Sequence, residues 1–140
     1  MKKILVAIEI SRPGGNEKIL STARTLAAAM DGELTFMHAI EPIPGRVLAE
    51  IQEDVAGKQQ AHAEAAMKEI VDQHEGATGL IRMGAPSTEI LECAQEMGAD
   101  LIVMHSHDPD MTNYIMGSVA GRVVRHAHCS VHIVRQAKAG

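Results

Sequence analysis

The chain has 140 residues, a length that suits one domain spanning 1–140 with a core of ordinary size. Hydrophobic residues make up 46% and charged residues 22%, as expected of a globular chain rather than a disordered one. The net charge is −5, no Lys/Arg cluster is visible, and aromatics are limited to one Tyr and one Phe, so a nucleic-acid backbone finds no basic face and bases find no stacking platform.

In chain order, "KILVAIEI" is a short aliphatic run bounded by "SRPGG", which predicts a buried strand and a turn. From Glu17 to Met30, apolar Ile19, Ala23, Leu26, Ala27 and Met30 fall at helical spacing, and "DG" is expected to end that helix. "ELTFMHAI" predicts a second strand and "EPIPG" a loop. A long helical pattern follows from Val47 to about Gln73, with Leu48, Ile51 and Val55 on a face continued by Ala63, Met67 and Ile70, and with Gly57 as a candidate break. "TGLIRMG" predicts a third strand. "APSTEILECAQEMGA" predicts a helix with Pro86 in its first turn and Gly98 closing it. "DLIVMH" is the fourth strand, "SVAGRVVRHA" the last helix and "CSVHIVR" the fifth strand.

The alternation of five strands with helices predicts an α/β fold, a parallel sheet with helices on both faces. Near-continuous aliphatic strands fit a sheet buried on both sides. Ligands in such folds bind beyond the carboxyl ends of the strands, near a switch in strand order. The loop after the fourth strand, "HSHDPDMTNYIMGS", therefore draws attention. Its last two residues, Gly117-Ser118, sit where the final helix begins, and unpaired N–H groups with the positive dipole end converge there. That is suitable chemistry for a phosphate. A glycine that ends a loop before a serine N-cap gives the same pattern with no ligand at all.

The opening "KILVAIEIS", "MGAPSTEIL" before the third helix, "ADLIVMHSH" and the ending "GSVAGRVVRHAHCSVHIVR" together resemble the universal stress protein family over essentially the whole chain. The string "SH-PD-T-Y--GS" is similar to the F/G branch of that family. The resemblance implies a five-stranded, mostly parallel Rossmann-like sandwich that binds ATP or another adenine nucleotide, with Mg²⁺ as a possible companion, at the carboxyl edge of the sheet. It implies binding positions at Ile8, Glu9, Ala39, Gly84, His105, Ser106, His107, Gly117, Ser118 and Val119. The family's usual loop is Gly-x2-Gly-x9-Gly-Ser/Thr, and here only Gly117-Ser118 matches it. Counted back from Gly117, Met104 and His107 replace the earlier glycines; aligned on "HSHD", His105 and Asp108 replace them. A side chain there occupies space in which backbone could otherwise approach a phosphate. Glu9 stands where the family usually has Asp, one methylene shorter.

Eight histidines invite a metal reading, but His105 and His107 follow strand four while His126, His128 and Cys129 precede strand five, at opposite edges of a parallel sheet. No metal site is expected. Ser106, His107 and Asp108 are adjacent in sequence, which does not generate triad geometry. Cys93 falls mid-helix and Cys129 at a strand start, where buried, inert thiols are expected. A receiver domain needs an acidic cluster that the chain lacks. A Walker lysine and an obvious general base are also missing, leaving at most weak ATP hydrolysis or phosphotransfer. Two cysteines without framework spacing, and no stretch long enough to span a membrane, give the expectation of a cytoplasmic protein. The apolar last strand is an edge liability, and the resemblance implies that it pairs with its copy in a homodimer. Two functional readings result: a nucleotide-binding dimeric stress sensor or regulator with regulatory protein partners still to be identified, and a dimeric interaction module that binds no nucleotide.

Overall fold

The computed structural model describes residues 1–10, 15–42, 55–106 and 116–135. Five strands form one parallel sheet: β1 Lys2–Ala7, β2 Gly32–Ile40, β3 Thr78–Met83, β4 Leu101–His105 and β5 Ser130–Val134. The spatial order is β3-β2-β1-β4-β5. Four helices alternate with them: α1 Glu17–Met30, α2 Val55–Asp72, α3 Pro86–Met97 and α4 Ser118–His126. The chain fills one half of the sheet from β1 outward, then returns to β1's other side and fills the second half. The strand order therefore reverses between β1 and β4.

Side-chain alternation sorts the core into two layers. Ile4, Val6, Leu34, Phe36, Leu101 and Val103 face α1 and α2. Leu5, Met37, Ile102 and Met104 face α3 and α4, together with Ile90, Cys93 and Val123. Ile4, Leu5 and Val6 of the central strand are 0% exposed, which explains why the strand reads as an unbroken aliphatic run.

Several boundaries differ from the sequence expectation for local reasons. The ladder at β1 stops soon after Ala7: Ile8 N–H still donates to the Met37 carbonyl at 2.9 Å, but the Glu9 backbone turns to Asn16 instead. α1 ends at "DG" as expected, and the left-handed residue there is Asp31, φ 51°. Asp tolerates this conformation better than most residues. Gly32 instead begins β2, where a Cβ would lie 2.6 Å from Ile4 Cδ1. α2 runs through Gly57 without a break; the earlier part of the expected helix, 47–54, lies outside the described residues. Pro86 opens α3, and Gly98, φ 64°, closes it as expected.

Two polar ties were not visible in the sequence. His74 is buried against Phe36, the rings meeting edge-on at 5.0 Å between centroids. Its Nε2 accepts from Arg24 Nη1 at 3.1 Å, so its Nδ1 carries the proton and donates to the Ile70 carbonyl at 2.7 Å. On the other face Arg82 of β3 donates to Glu89 at 2.9 Å and Glu96 at 2.7 Å along one side of α3, with Glu92 at 3.7 Å.

The Arg82 guanidinium holds the Glu96 carboxyl below the usual carboxylate range, first by hydrogen bonding and then by charge. For a depressed carboxyl the contribution to stability is present at neutral pH and fades as pH falls through the lowered value. Arg82→Met should raise the Glu96 titration midpoint back toward that of a free glutamate, read by carboxyl-carbon NMR; an unmoved midpoint would refute the pairing. A second expectation concerns α4, where Gly121 carries no strain and a Cβ would meet nothing within 4 Å. Gly121→Ala should stabilise the protein by about 0.5–1 kcal/mol in urea unfolding.

Candidate functional site

A cavity of about 310 Å³ opens at the carboxyl edge of the sheet, at the reversal between β1 and β4. Its floor is apolar: Ala7 and Ile8 from the end of β1, Met37 from β2, Ile90 from α3 and Met104 from β4. Polar groups sit around this floor. Glu9, His38 and Glu41 occupy the β1–β2 side, and Gly117, Ser118 and Val119 occupy the α4 side. Pro86 brings the first turn of α3 to the same space.

Glu9 is fixed through its backbone. Its N–H donates to Asn16 Oδ1 at 3.2 Å, and Asn16 Nδ2 donates to the Glu9 carbonyl at 2.6 Å. Asn16 is also the N-cap residue of α1, yet its side chain makes no capping bond. The side chain that would ordinarily cap the helix is used to hold the end of β1. His38, 8% exposed, supports the same turn: its Nδ1 lies 3.1 Å from the Ile8 carbonyl. A carbonyl can only accept, so Nδ1 carries the proton there. Glu9 Oε1 is 3.8 Å from the same nitrogen, and the Glu9 side chain is 43% exposed. A carboxylate is thus held at the cavity rim with solvent access.

The opposite side is built from the start of α4. Gly117 is its N-cap, with extended geometry (φ −66°, ψ 166°) and no side-chain capping bond. The Gly117 N–H is already engaged, donating to the Ser106 carbonyl at 2.8 Å. The next three amides, Ser118, Val119 and Ala120, fall in the first turn and have no intrahelical acceptor. With the helix dipole behind them they favour an anion.

Of the positions expected from sequence, Ile8, Glu9, Ala39, His105, Gly117, Ser118 and Val119 line this one cavity. Gly84 and Ser106 are not among its lining residues. Gly84, φ 150°, ends β3, and a Cβ there would come within 2.5 Å of Glu89 Oε2, so the room it leaves faces the Arg82–Glu89 pair rather than the cavity. Ser106 is buried and contributes main-chain bonds, donating to the Val134 carbonyl and accepting from Gly117. His107, like Asp108 and Asp110, lies outside the described residues. Sequence reasoning missed Asn16 and His38. An Asn before a helix reads as a cap, and a single His in an aliphatic strand reads as core; neither pattern signals a brace for Glu9.

The remaining candidates sit elsewhere. His126, His128 and Cys129 border a second cavity of about 330 Å³ at the amino edge of the sheet. Among the described residues no group of three or more His, Cys, Asp or Glu side chains is placed to hold a metal ion. Cys93 is buried and Cys129 half-buried, and burial pushes both thiols up from their ordinary range, which disfavours the reactive thiolate. No helix among the described residues is long and apolar enough to cross a membrane.

Comparison with known proteins agrees with this architecture. The chain is 30% identical to universal stress protein A homolog 2 of Coxiella burnetii, over 96% of this chain and 94% of that protein. It is 27% identical to universal stress protein G of Salmonella typhimurium, over 96% and 99% of the respective chains. A universal stress protein solved in complex with cAMP superposes with a TM-score of 0.72, covering 97% of this chain and 98% of that one at 20% identity. The model of the universal stress protein family matches residues 1–135. With its strand order, its reversal point and this match along nearly its full length, the chain belongs to the universal stress protein family.

Proposed function

We propose that this protein binds an adenine nucleotide reversibly in the cavity between β1 and β4, and that residues 1–140 act as one domain in a dimeric cytoplasmic stress sensor or regulator. The observation that carries the reading is the cavity's polarity. The uncapped first turn of α4 faces it from one side, and the rim carboxylate of Glu9 faces it from the other. A phosphate suits the amides of Ser118, Val119 and Ala120. Glu9 suits ribose hydroxyls, or a divalent cation such as Mg²⁺ bridging to the phosphates. The base would lie on aliphatic and thioether surface from Met37, Ile90 and Met104, near the backbone of Ala39. A volume of about 310 Å³ is at the small end for ligand sites, which favours a mononucleotide fit or partial burial of a longer one. The relative solved with cAMP supports an adenine ligand. Homodimerisation would use β5, which is a sheet edge with Val131 and Ile133 half-buried along it.

One observation favours the alternative, a dimeric interaction module without nucleotide. His105 lines the cavity at a position where the loop pattern of the family can place a glycine, so a side chain fills part of the space.

Titration calorimetry with ATP, ADP and AMP, each with Mg²⁺, separates the two. Binding of at least one of them supports the sensor reading; no heat from any, in folded protein, supports the module. Gly117→Asp tests the site itself. The backbone at 117 is one that Asp adopts, and Asp is a favoured N-cap, so the fold should survive. The new carboxylate would take up first-turn amides and repel a phosphate by about 4 kcal/mol at 4 Å and an effective dielectric near 20. Affinity should fall by about a thousandfold. Wild-type affinity in this variant would remove α4 from the site.

A further inference from the structure

Arg122 lies one helical turn beyond Ser118 on α4 and is not a cavity-lining residue. Its Nη1 donates to Ser87 Oγ and to Thr88 Oγ1, both at 2.9 Å. Ser87 and Thr88 belong to the first turn of α3, directly after Pro86, which does line the cavity. Among the described residues Arg122 has no carboxylate partner. Its charge is directed at two hydroxyls across the α3–α4 interface.

This is an unusual use of a guanidinium, and its context explains it. Ser87 is 9% exposed, and its buried hydroxyl needs a partner. The N-cap of α3 is Ala85, which has no side chain able to cap, and the N-cap of α4 is Gly117, which has none either. Neither helix start is stiffened by its own cap. The only side-chain hydrogen bonds joining the two, among the described residues, are those of Arg122.

We propose that Arg122 is a positioning residue: it braces the first turn of α4 against the first turn of α3 and so holds the amides of Ser118, Val119 and Ala120 in place for an anionic ligand. It acts through Ser87 and Thr88, not by touching the ligand. The proposal rests on the nucleotide reading above for its ligand, but the brace itself can be measured without one. A pre-ordered donor set loses less freedom on binding, so the effect falls on the phosphate and spares the base and sugar.

The test compares Arg122→Ala, the double variant Ser87→Ala/Thr88→Val, and the combination of all three in the full chain. The probes are AMP and adenosine by calorimetry, and backbone amide order parameters at Ser118, Val119 and Ala120 by NMR in the free protein. AMP affinity should fall about tenfold in Arg122→Ala, the order expected for a lost charged hydrogen-bond tie. Ser87→Ala/Thr88→Val should match it, the combination should be no worse, and adenosine affinity should stay at the wild-type value. First-turn order parameters should fall in all three. A general loss of stability would lower both affinities together, and that result overturns the proposal. So does a double variant that binds AMP as wild type while Arg122→Ala does not, because Arg122 would then touch the ligand itself. If wild-type protein binds neither probe, the nucleotide reading falls, and unchanged order parameters in the variants would overturn the brace as well.

Discussion

The structure depends on β1 being paired along both edges. Its residues bond in parallel register to β2 on one side and to β4 on the other, and its central side chains are shielded on both faces. A strand in that position cannot slip by one residue without exchanging its two sets of side chains between layers. Once β1 is fixed, the direction of every other strand follows, because each crossover must return through a helix to the same end of the sheet. The end of β1 then emerges in a crevice that no crossover covers, since the chain runs from β1 to β2 on one side and continues from β4 to β5 on the other. The cavity is a product of chain path before it is a product of particular side chains.

Side chains then give the crevice its two characters. On the β1 side, Asn16 and His38 hold the turn at Ile8–Glu9 by main-chain contacts and leave the Glu9 carboxylate partly in water. On the α4 side the polar groups are backbone amides. Carboxylates on one rim and a helix start on the other create a field across an apolar floor, and low-polarity surroundings strengthen both ends. The two helices that pack on this face, α3 and α4, both begin at the crevice with residues unable to cap through their side chains. Their alignment has to come from interhelical contacts.

Much of the fold was legible because its signals are local. Aliphatic runs broken by turn residues mark the strands, and Pro86 and Gly98 bracket α3 where structure and sequence agree. The start of α4 was legible for the same reason, since Gly-Ser before an amphipathic segment marks a helix beginning. What stayed hidden was long-range. His74 and Arg24 lie 50 positions apart, and Arg122 and Ser87 lie 35 apart. A periodicity argument carries no information about such pairs. Asn16 was hidden for a different reason: an Asn before a helix suits a cap, and competition from the Glu9 backbone diverts it. Gly84 was expected among the binding positions, and the space a Cβ there would fill is taken by Glu89, a neighbour set by tertiary packing.

The hydrogen bond from the Gly117 amide to the Ser106 carbonyl has an implication for how this scaffold can diversify. It joins the two stems of the segment between β4 and α4, so that both ends of the segment are anchored by the sheet and by each other. A segment clamped at its stems can be exchanged for one of another length or composition while the flanking elements keep their places. The entropic penalty is small, about 0.6 kcal/mol for a doubling of length. Selection can therefore rewrite residues 107–115 without renegotiating the core. Departures from the glycine pattern between β4 and α4 are then changes of sequence in an interchangeable connection, carried by a scaffold that tolerates them.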